Sequence, residues 1–268
     1  MTAPALAARP VHAWMPASTC DTECIDRDIV RAGPARVALR LLVIAALLLT
    51  FPVAHMLTPR RTRGGVQRGY ARALLGCFGV RMRVVGAGND GGALLVAGHV
   101  GWLDVLAISA VRPVTFVARA DLVDWPGLGT AARMMRIIPI DRADLRALPA
   151  VVDELSRRLA AGEAVAVFPE GTTWCGRAVG SMRPALFQAA VDAGVPVQPV
   201  GLRYLGPHGE PSTIPGFVGD ETMIASIRRL LRTRSVLAEV VLAAPEPPGT
   251  DRRDLAARSE RAARPVSG

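Results

Sequence analysis

The sequence predicts an α/β fold in which a largely parallel central sheet is covered by helices on both faces. The main observation is that short runs, apolar at nearly every position, alternate with longer segments of helical spacing. A strand that is apolar throughout is typical of a sheet with neither face in water. We predict strands over residues 93–97, 115–118, 137–140, 164–168, 197–202 and 236–242.

Helices are predicted before and between these strands, and the chain outside the α/β domain is predicted to form separate segments. Their spacing places them over residues 67–78, 103–110, 145–161, 185–193 and 221–232. Gly162 and Gly194 stand where two of these helices should end, a position that favours glycine. The α/β domain is expected to span residues 65–245. Residues 1–30 are predicted to form a mobile leader. Residues 246–268 are predicted to form a polar, Arg-rich tail, for which disorder is one alternative.

A second observation is a strongly apolar segment near the N-terminus. Residues 41–59 contain no Asp, Glu, Lys or Arg, and residues 41–49 are all apolar. A membrane-spanning helix needs about 20 apolar residues. Residues 31–64 are therefore predicted to form a hydrophobic helical segment that anchors the chain to a membrane. A helix buried in the core is the alternative, because the run is borderline in length.

Arginines on both sides of this segment predict its orientation. The positive-inside rule places both flanks in the cytoplasm. The segment then either enters one leaflet and returns, with a break near Pro52, or crosses once with the downstream cluster inside. In both arrangements the remaining domain faces the cytoplasm at the cell membrane. The flanking residues are Arg31, Arg36 and Arg40 before the segment, and Arg60, Arg61 and Arg63 after it.

The charge of the chain narrows the classes of partner. The formal net charge is +9, and all 32 basic residues are Arg. The absence of Lys from the sequence excludes Schiff-base and Walker-type lysine chemistry. A basic protein favours polyanionic partners such as anionic lipid headgroups, phosphorylated substrates or nucleic acid. Nucleic acid is not expected, because aromatic residues make up only 4% and no nucleic-acid-binding motif is present.

The four cysteines predict no metal site. Cys20 and Cys24 are close in sequence, but no second Cys or His pair stands at zinc-binding spacing from them. Cys77 and Cys175 are isolated. We expect reduced thiols without a shared role.

Polar residues follow three predicted strands at their carboxyl ends, where ligands of open α/β sheets gather. His99 follows the first strand, and Asp104 lies five residues later, in the first turn of the next helix. A carboxylate bonded to one imidazole nitrogen fixes the tautomer and makes the other nitrogen a better base. This is the base and orienting group of a catalytic triad, so the nucleophile would be a substrate hydroxyl. The alternative is a structural histidine.

The other two strand ends carry Asp141–Arg142 and Glu170–Gly171–Thr172. Arg142 is suited to bidentate binding of a phosphate, or alternatively to a surface ion pair with a nearby aspartate. Glu170 either accepts a hydrogen bond from substrate or only stabilises its turn, and Gly171 leaves backbone amides open to an anion. Serine-hydrolase, zinc-hydrolase, Walker and dinucleotide-binding motifs are absent from the sequence.

In chain order these segments resemble the glycerolipid acyltransferases, specifically the lysophosphatidate (1-acylglycerol-3-phosphate) acyltransferases. The resemblance covers about residues 65–245. Arg183 stands where that family has a basic residue after its Pro-Glu-Gly-Thr turn. The matching pieces are His99 with Asp104, the Ile-Asp-Arg sequence at 140–142, the Phe-Pro-Glu-Gly-Thr sequence at 168–172 and the Val-Pro-Val-Gln-Pro-Val sequence at 195–200.

The resemblance implies acyl transfer from acyl-CoA or acyl-carrier protein to the free hydroxyl of 1-acyl-sn-glycerol 3-phosphate, giving phosphatidic acid. It implies no covalent acyl-enzyme and no cofactor besides the acyl carrier. His99 would act as the base and Asp104 would orient it. The headgroup would be held by Arg142, Glu170, Gly171, Thr172 and Arg183.

Departures from the family pattern leave the acceptor open. Gly98 stands where the family commonly has Asn, and Gly101 and Thr173 replace other frequent polar residues. Lyso-ornithine lipid acyltransferases share the same motifs, so another lysolipid is an alternative acceptor. A catalytically silent, membrane-bound lipid-binding protein is a second alternative, against which the intact His99 and Asp104 argue.

Overall fold

The computed structural model describes residues 12, 14–27, 30–88, 91–125 and 128–264. Within these residues, seven strands form one sheet. They are β1 (Val80–Val85), β2 (Ala93–Ala97), β3 (Thr115–Arg119), β4 (Ile138–Ile140), β5 (Ala164–Val167), β6 (Val197–Leu205) and β7 (Val236–Leu242).

The sheet has the strand order β1-β7-β6-β2-β5-β3-β4 and is parallel except between β6 and β7. The predicted α/β class and its six strands are therefore confirmed. The sequence pattern missed β1, in which Arg81 and Arg83 alternate with apolar residues. This strand lies at the edge of the sheet, where outward-facing side chains reach water, so its sequence lacks the continuous apolar run of a central strand.

Eight α-helices accompany the sheet in the described part of the chain. They are α1 (Pro34–Leu57), α2 (Arg63–Cys77), α3 (Leu103–Val111), α4 (Leu128–Met134), α5 (Leu148–Ala160), α6 (Gln188–Ala193), α7 (Met223–Arg232) and α8 (Arg252–Ala263). Gly162 and Gly194 adopt the left-handed conformation at the ends of α5 and α6, as predicted.

The helices cover both faces of the sheet. Along β2, Leu94 and Val96 pack toward α5, α6 and α8, whereas Ala93 and Leu95 pack toward α3. Helices α2, α3 and α7 form the layer over β1, β6 and β7. Because successive side chains of a strand point to opposite faces, the continuous apolar run of β2 supplies both layers of the core.

The C-terminal segment is part of the domain, which corrects the predicted Arg-rich tail and its alternative of disorder. Helix α8 begins after Asp251, whose side chain accepts from the N–H of Arg253. Leu255 is fully buried against the sheet, and Ala256 is 3% exposed. The helix contains four arginines and only a small apolar face, so composition alone suggested a polar tail. Residues 265–268 lie outside the described residues.

The described part of the predicted mobile leader is also ordered against the domain. Cys20 and Ile25 are buried, and they pack with Val218. The Asp26 carboxylate accepts the N–H of Thr213 at 3.0 Å, and the Thr213 hydroxyl accepts the N–H of Asp26 at 2.7 Å. The prediction of mobility is therefore wrong for this stretch. Residues 1–11, 13, 28 and 29 lie outside the described residues.

Helix α1 has the length and apolar composition to cross a membrane. Its long apolar side chains are mostly exposed, and only 6% of its most apolar window is buried, which excludes the alternative of a core helix. The helix continues through Pro52, so the predicted break there is wrong.

Contacts at two positions hold α1 alongside the domain. The Arg40 guanidinium donates to the carbonyls of Leu231 and Thr233, each at 2.7 Å. Further along α1, Thr50 Oγ1 accepts from the hydroxyl of Tyr70 on α2 at 3.0 Å. Because Tyr70 follows the turn between the two helices, α2 packs back along α1. The apolar helix is therefore fixed to the domain near its start and in its second half.

Candidate active site

The structure brings His99 and Asp104 together at the carboxyl end of β2. His99 lies two residues after the strand, and Asp104 lies in the first turn of α3. His99 Nδ1 is 2.8 Å from Asp104 Oδ2. Because a carboxylate oxygen accepts, Nδ1 carries the hydrogen, and Nε2 is left as the basic nitrogen. This is the geometry that the five-residue separation predicted.

The Asp104 carboxylate is completely buried and accepts four hydrogen bonds. Besides the imidazole, Oδ2 accepts the N–H groups of Val100 at 2.7 Å and Gly101 at 2.9 Å. Oδ1 accepts the hydroxyl of Tyr204 at 2.7 Å. A buried carboxylate without such donors would be strongly destabilising, so these contacts fix both the loop after β2 and the imidazole.

Sequence reasoning missed Tyr204. It lies on β6, two residues beyond the end of the predicted strand 197–202 and 100 residues from its partner, so no local pattern connects it to Asp104. Burial, together with the charge of Asp104, raises the pKa of the Tyr204 hydroxyl well above its usual value. The hydroxyl therefore stays protonated and remains a donor to the carboxylate.

The His99 ring lies on an aromatic surface and is partly open to solvent. It stacks on Phe168 with the ring centroids 4.0 Å apart and the planes within 11°. The side chain is 15% exposed, and Nε2 has no hydrogen-bond partner among the described residues. Stacking and the Asp104 bond fix the plane of the ring and therefore the direction in which Nε2 points.

Two loops hold the backbone at His99. The N–H of Trp174 donates to the His99 carbonyl at 2.7 Å, and the N–H of Phe217 donates to the next carbonyl at 2.9 Å. Gly101 makes the second approach possible, because a Cβ there would lie 2.5 Å from the carbonyl oxygen of Pro215. The glycine is therefore required by the close passage of this loop.

Glu170 stabilises the site from inside the protein. Its side chain follows β5, is 6% exposed, and accepts the N–H of His99 at 2.7 Å and of Gly180 at 3.0 Å. Both carboxylate oxygens are thus bonded to backbone donors. The geometry corrects the predicted direct contact with the headgroup and favours a positioning role, in which Glu170 joins the His99 backbone to the 180–183 loop.

Helix α8 supports the same loop from the other side. Glu260 accepts the N–H of Met182 at 2.7 Å, and Arg264 donates to the carbonyl of Gly180 at 2.9 Å. Arg183, one of the predicted headgroup residues, directly follows Met182 in this loop. The C-terminal helix, which the sequence did not connect to function, therefore fixes the loop that carries Glu170's partner and Arg183.

Gly171, Thr172 and Arg183 lie together, and the N-terminal leader covers part of them. A Cβ on Gly171, which has φ +75°, would be 2.6 Å from Cγ of Pro16 and 4.0 Å from Cδ of Arg183. The Arg183 guanidinium donates to the carbonyl of Trp14 at 2.8 Å. Thr172 is half-buried in the same turn. The leader thus borders the predicted headgroup site.

Arg142 lies further along the same edge of the sheet, after β4. Its side chain is half-buried, and burial followed by the charge of Arg119 lowers the pKa of its guanidinium. Arg119 is itself paired with Asp121 at 2.7 Å. Within the described ranges, no ion pair involves Arg142, so the predicted alternative of a surface ion pair is not what the structure shows. A half-buried cation of this kind is suited to an anionic ligand.

We predict a specific pH effect at Glu170. Burial raises the pKa of its carboxyl to about 7, although the His99 and Gly180 amides act to lower it. An unfolded glutamate has a pKa near 4.5, so the folded protein binds the extra proton between these values. Stability contributed by the protonated form is therefore lost as pH rises through about 7. Glu170→Gln should remove this dependence, which is on the order of 3 kcal/mol.

The measurement is the free energy of unfolding in detergent at about pH 5 and pH 8, on either side of the raised pKa. The free energy of unfolding of wild type minus that of Glu170→Gln should fall as pH rises, because only wild type loses the stability of the protonated carboxyl. Glu154→Gln is the control, because hydrogen bonds from Arg157 and Arg158 lower the pKa of Glu154 and keep it ionised over this range. A Glu170→Gln difference that is independent of pH would contradict the prediction.

Comparisons with known proteins identify the family of this chain. The acyltransferase family profile matches residues 81–203. The lyso-ornithine lipid O-acyltransferase of Rhizobium meliloti is 35% identical over 75% of this chain and 73% of its own length. The 1-acyl-sn-glycerol-3-phosphate acyltransferase of Neisseria gonorrhoeae is 35% identical over 48% of this chain and 51% of its own length.

The fold has a counterpart among solved structures. The crystal structure of the 1-acyl-sn-glycerophosphate acyltransferase of Thermotoga maritima superposes with a TM-score of 0.65 over 85% of this chain and 92% of that chain, at 18% identity. This likeness supports the architecture, and the sequence relatives support the chemistry. The chain therefore belongs to the acyltransferase family that acts on lysolipids, as its motifs predicted.

Proposed function

We propose that the protein transfers an acyl group from a thioester carrier, acyl-CoA or acyl-carrier protein, to the hydroxyl of a lysolipid, with His99 as the general base. One observation carries the proposal. The His99 ring is bonded through Nδ1 to a buried carboxylate 2.8 Å away, while Nε2 is unpartnered among the described residues. A base oriented in this way can activate an alcohol that the protein itself does not supply.

The reaction follows from that geometry. Nε2 takes the proton of the lysolipid hydroxyl while its oxygen attacks the thioester carbonyl. The tetrahedral intermediate then expels the thiolate, which receives the proton from the imidazolium. Asp104 stabilises the imidazolium without being protonated itself. No acyl-enzyme forms, and the thioester already carries the activated acyl group, so no cofactor is needed besides the carrier.

Arg142 is the proposed ligand for an anion on the acceptor. It is half-buried and has no ion pair among the described residues, whereas nearby Arg119 is paired with Asp121. Three strand spacings separate β2 from β4 across the sheet, about 14 Å in total. A long Arg side chain and a headgroup can together span the distance from this anion site to Nε2. Arg183, Gly171 and Thr172 lie between the two ends of the proposed site.

We place a lyso-ornithine lipid first among the acceptors and 1-acyl-sn-glycerol 3-phosphate second. Relatives named for lyso-ornithine lipid align along most of the chain, whereas the Neisseria relative named for the glycerol phosphate aligns over about half of it. Ornithine offers a carboxylate, and the glycerol lipid offers a phosphate. Both anions suit a guanidinium, so Arg142 alone does not select between them.

The membrane is the proposed source of the acceptor, and α1 is the proposed anchor. The helix is held to the domain by Arg40 near its start and by Thr50 in its second half, and its other side is apolar and exposed. Because α2 returns along it, we favour insertion into one leaflet over a complete crossing. The arginines at both ends then place the domain on the cytoplasmic side.

His99→Ala is expected to abolish most acyl transfer, with kcat reduced by at least about 10²–10⁴-fold, because the general base is lost. The fraction of protein that sediments with membranes should not change. The variant should still unfold cooperatively, at a midpoint lowered by the loss of one donor to the buried Asp104 carboxylate. His208→Ala is the control, since His208 is an exposed loop residue. Retention of most activity by His99→Ala would remove this side chain from the mechanism.

Competition between acceptors tests the lipid. The purified full chain is given acyl-CoA and equal amounts of lyso-ornithine lipid and 1-acyl-sn-glycerol 3-phosphate, and the products are identified by mass spectrometry. We expect ornithine lipid to form the faster of the two. Arg142→Ala should raise KM for the preferred acceptor by about tenfold or more, whereas Arg146→Ala, on an exposed residue, should not.

The outcomes of this competition are distinct. Faster formation of phosphatidic acid would overturn the order of acceptors and leave acyl transfer in place. Acylation of neither lipid by a folded protein would overturn the proposed reaction and favour a catalytically silent lipid-binding protein.

A further inference from the structure

Three of the four cysteines converge in the folded protein. The Sγ atoms of Cys20, Cys24 and Cys175 all lie within 4.8 Å of one another. Cys20 and Cys175 are buried, Cys24 is half-buried, and all three are free thiols. The three thiols thus share one environment, which the sequence did not indicate because Cys175 is 151 positions from Cys24.

Local structure on both sides builds the cluster. Cys20 and Cys24 lie on either side of a leader turn, in which the short 3-10 helix Thr22–Cys24 is capped by the Asp21 carboxylate accepting the N–H of Glu23 at 2.9 Å. Cys175 follows the turn that contains Glu170 and Gly171. Residues 20–24 of the leader and the loop after β5 therefore each contribute sulfur atoms to the same cluster.

The arrangement suits a soft, tetrahedral metal ion. Zinc–thiolate bonds of about 2.3 Å place neighbouring sulfurs about 3.8 Å apart in a tetrahedron, which three thiols within 4.8 Å reach by small side-chain movements. The N–H of Ala178 also points at Cys175 Sγ, at 3.5 Å. Such an amide stabilises negative charge on sulfur and is typical of the groups that surround a metal-bound thiolate.

A disulfide explains the arrangement less well. It would join two of the three sulfurs and leave the third thiol next to the bond, where thiol–disulfide exchange is favoured. Three sulfurs that all lie within 4.8 Å of one another are instead suited to binding one shared metal ion. Cys20-x-x-x-Cys24 also has the short spacing that zinc ligands commonly have on one loop.

We propose that Cys20, Cys24 and Cys175 bind one Zn²⁺ ion as thiolates, with solvent in the fourth position beside the half-buried Cys24. The three thiol protons are released to solvent on binding. The role is structural: the ion joins the leader to the loop after Glu170. It thereby keeps Pro16 against Gly171 and Trp14 on Arg183, at the border of the headgroup site. This site replaces the expectation of no metal.

The test is zinc binding by the full chain, purified in detergent with a reductant that does not bind metal. We expect one zinc per chain in the wild type and in Cys77→Ser, which removes the cysteine outside the cluster. Cys24→Ser and Cys175→Ser should bind zinc at least about tenfold more weakly. Cys24 is the more exposed ligand, so its variant is the one expected to fold normally.

Cobalt substitution gives a readout on the unmutated protein. Co²⁺ bound to three thiolates should produce an intense sulfur-to-metal charge-transfer absorption that added Zn²⁺ removes. Absence of this absorption, or wild-type protein that takes up no zinc under reducing conditions, would overturn the proposal. So would zinc binding that is unchanged in both Cys24→Ser and Cys175→Ser. Loss of two hydrogens in the intact mass, without zinc, would assign the cluster to a disulfide instead.

Discussion

The buried carboxylate of Asp104 is the interaction on which the rest of the site depends. Its four donors come from the His99 imidazole, two backbone amides of the loop after β2 and the hydroxyl of Tyr204 on β6. Each donor compensates part of the cost of placing a carboxylate in the core. The same contacts leave the imidazole a single orientation. Packing, loop conformation and the tautomer of the base are therefore fixed together.

The buried carboxylate of Glu170, near Asp104, has a different structural role. Glu170 bonds to the backbone of His99 rather than to its ring, and through Gly180 it connects that backbone to the loop before Arg183. Asp104 thus orients the imidazole of His99, while Glu170 positions its main chain. For the proposed general base, orientation relative to a bound substrate is a large part of catalysis, since small displacements of reacting groups are costly.

The relation between membrane and site follows from the N-terminal half of the chain. Helix α1 exposes a long apolar surface, yet Arg40 and Thr50 hold it to the domain. An acceptor lipid in the same leaflet would therefore lie close to the protein surface. The leader before α1 reaches the border of the site, so one stretch of chain connects the proposed anchor with the headgroup residues.

Much of this could be predicted from sequence where the determinants are local. Continuous apolar runs predict central strands, and the separation between His99 and Asp104 predicts their contact because a turn joins them. The edge strand β1 was not predicted, because Arg81 and Arg83 face outward and interrupt the apolar run. Long-range contacts were not predicted for another reason. Tyr204 meets Asp104, and Cys175 meets Cys20, only after the sheet has assembled, and no spacing rule connects residues so far apart.

Helix α8 shows the limit of composition as a guide. Its arginines suggested a solvent-exposed tail, although Leu255 is fully buried and Arg264 bonds to the loop at Gly180. Long basic side chains can remain in water while a narrow apolar stripe packs on the core. Arginine content therefore does not decide whether such a segment belongs to the domain, whereas the spacing of its few apolar residues does.

Measuring the tautomer of the neutral His99 imidazole tests its proposed role as the base most directly. Nitrogen-15 NMR of histidine-labelled protein, assigned with a His99 variant among the four histidines of the chain, reports which ring nitrogen carries the hydrogen when the ring is neutral. A general base oriented by Asp104 should have a protonated Nδ1 and an unprotonated Nε2, with this preference weakened in Asp104→Asn. A neutral ring with its hydrogen on Nε2 would contradict it, because that nitrogen could not then accept the proton of an alcohol.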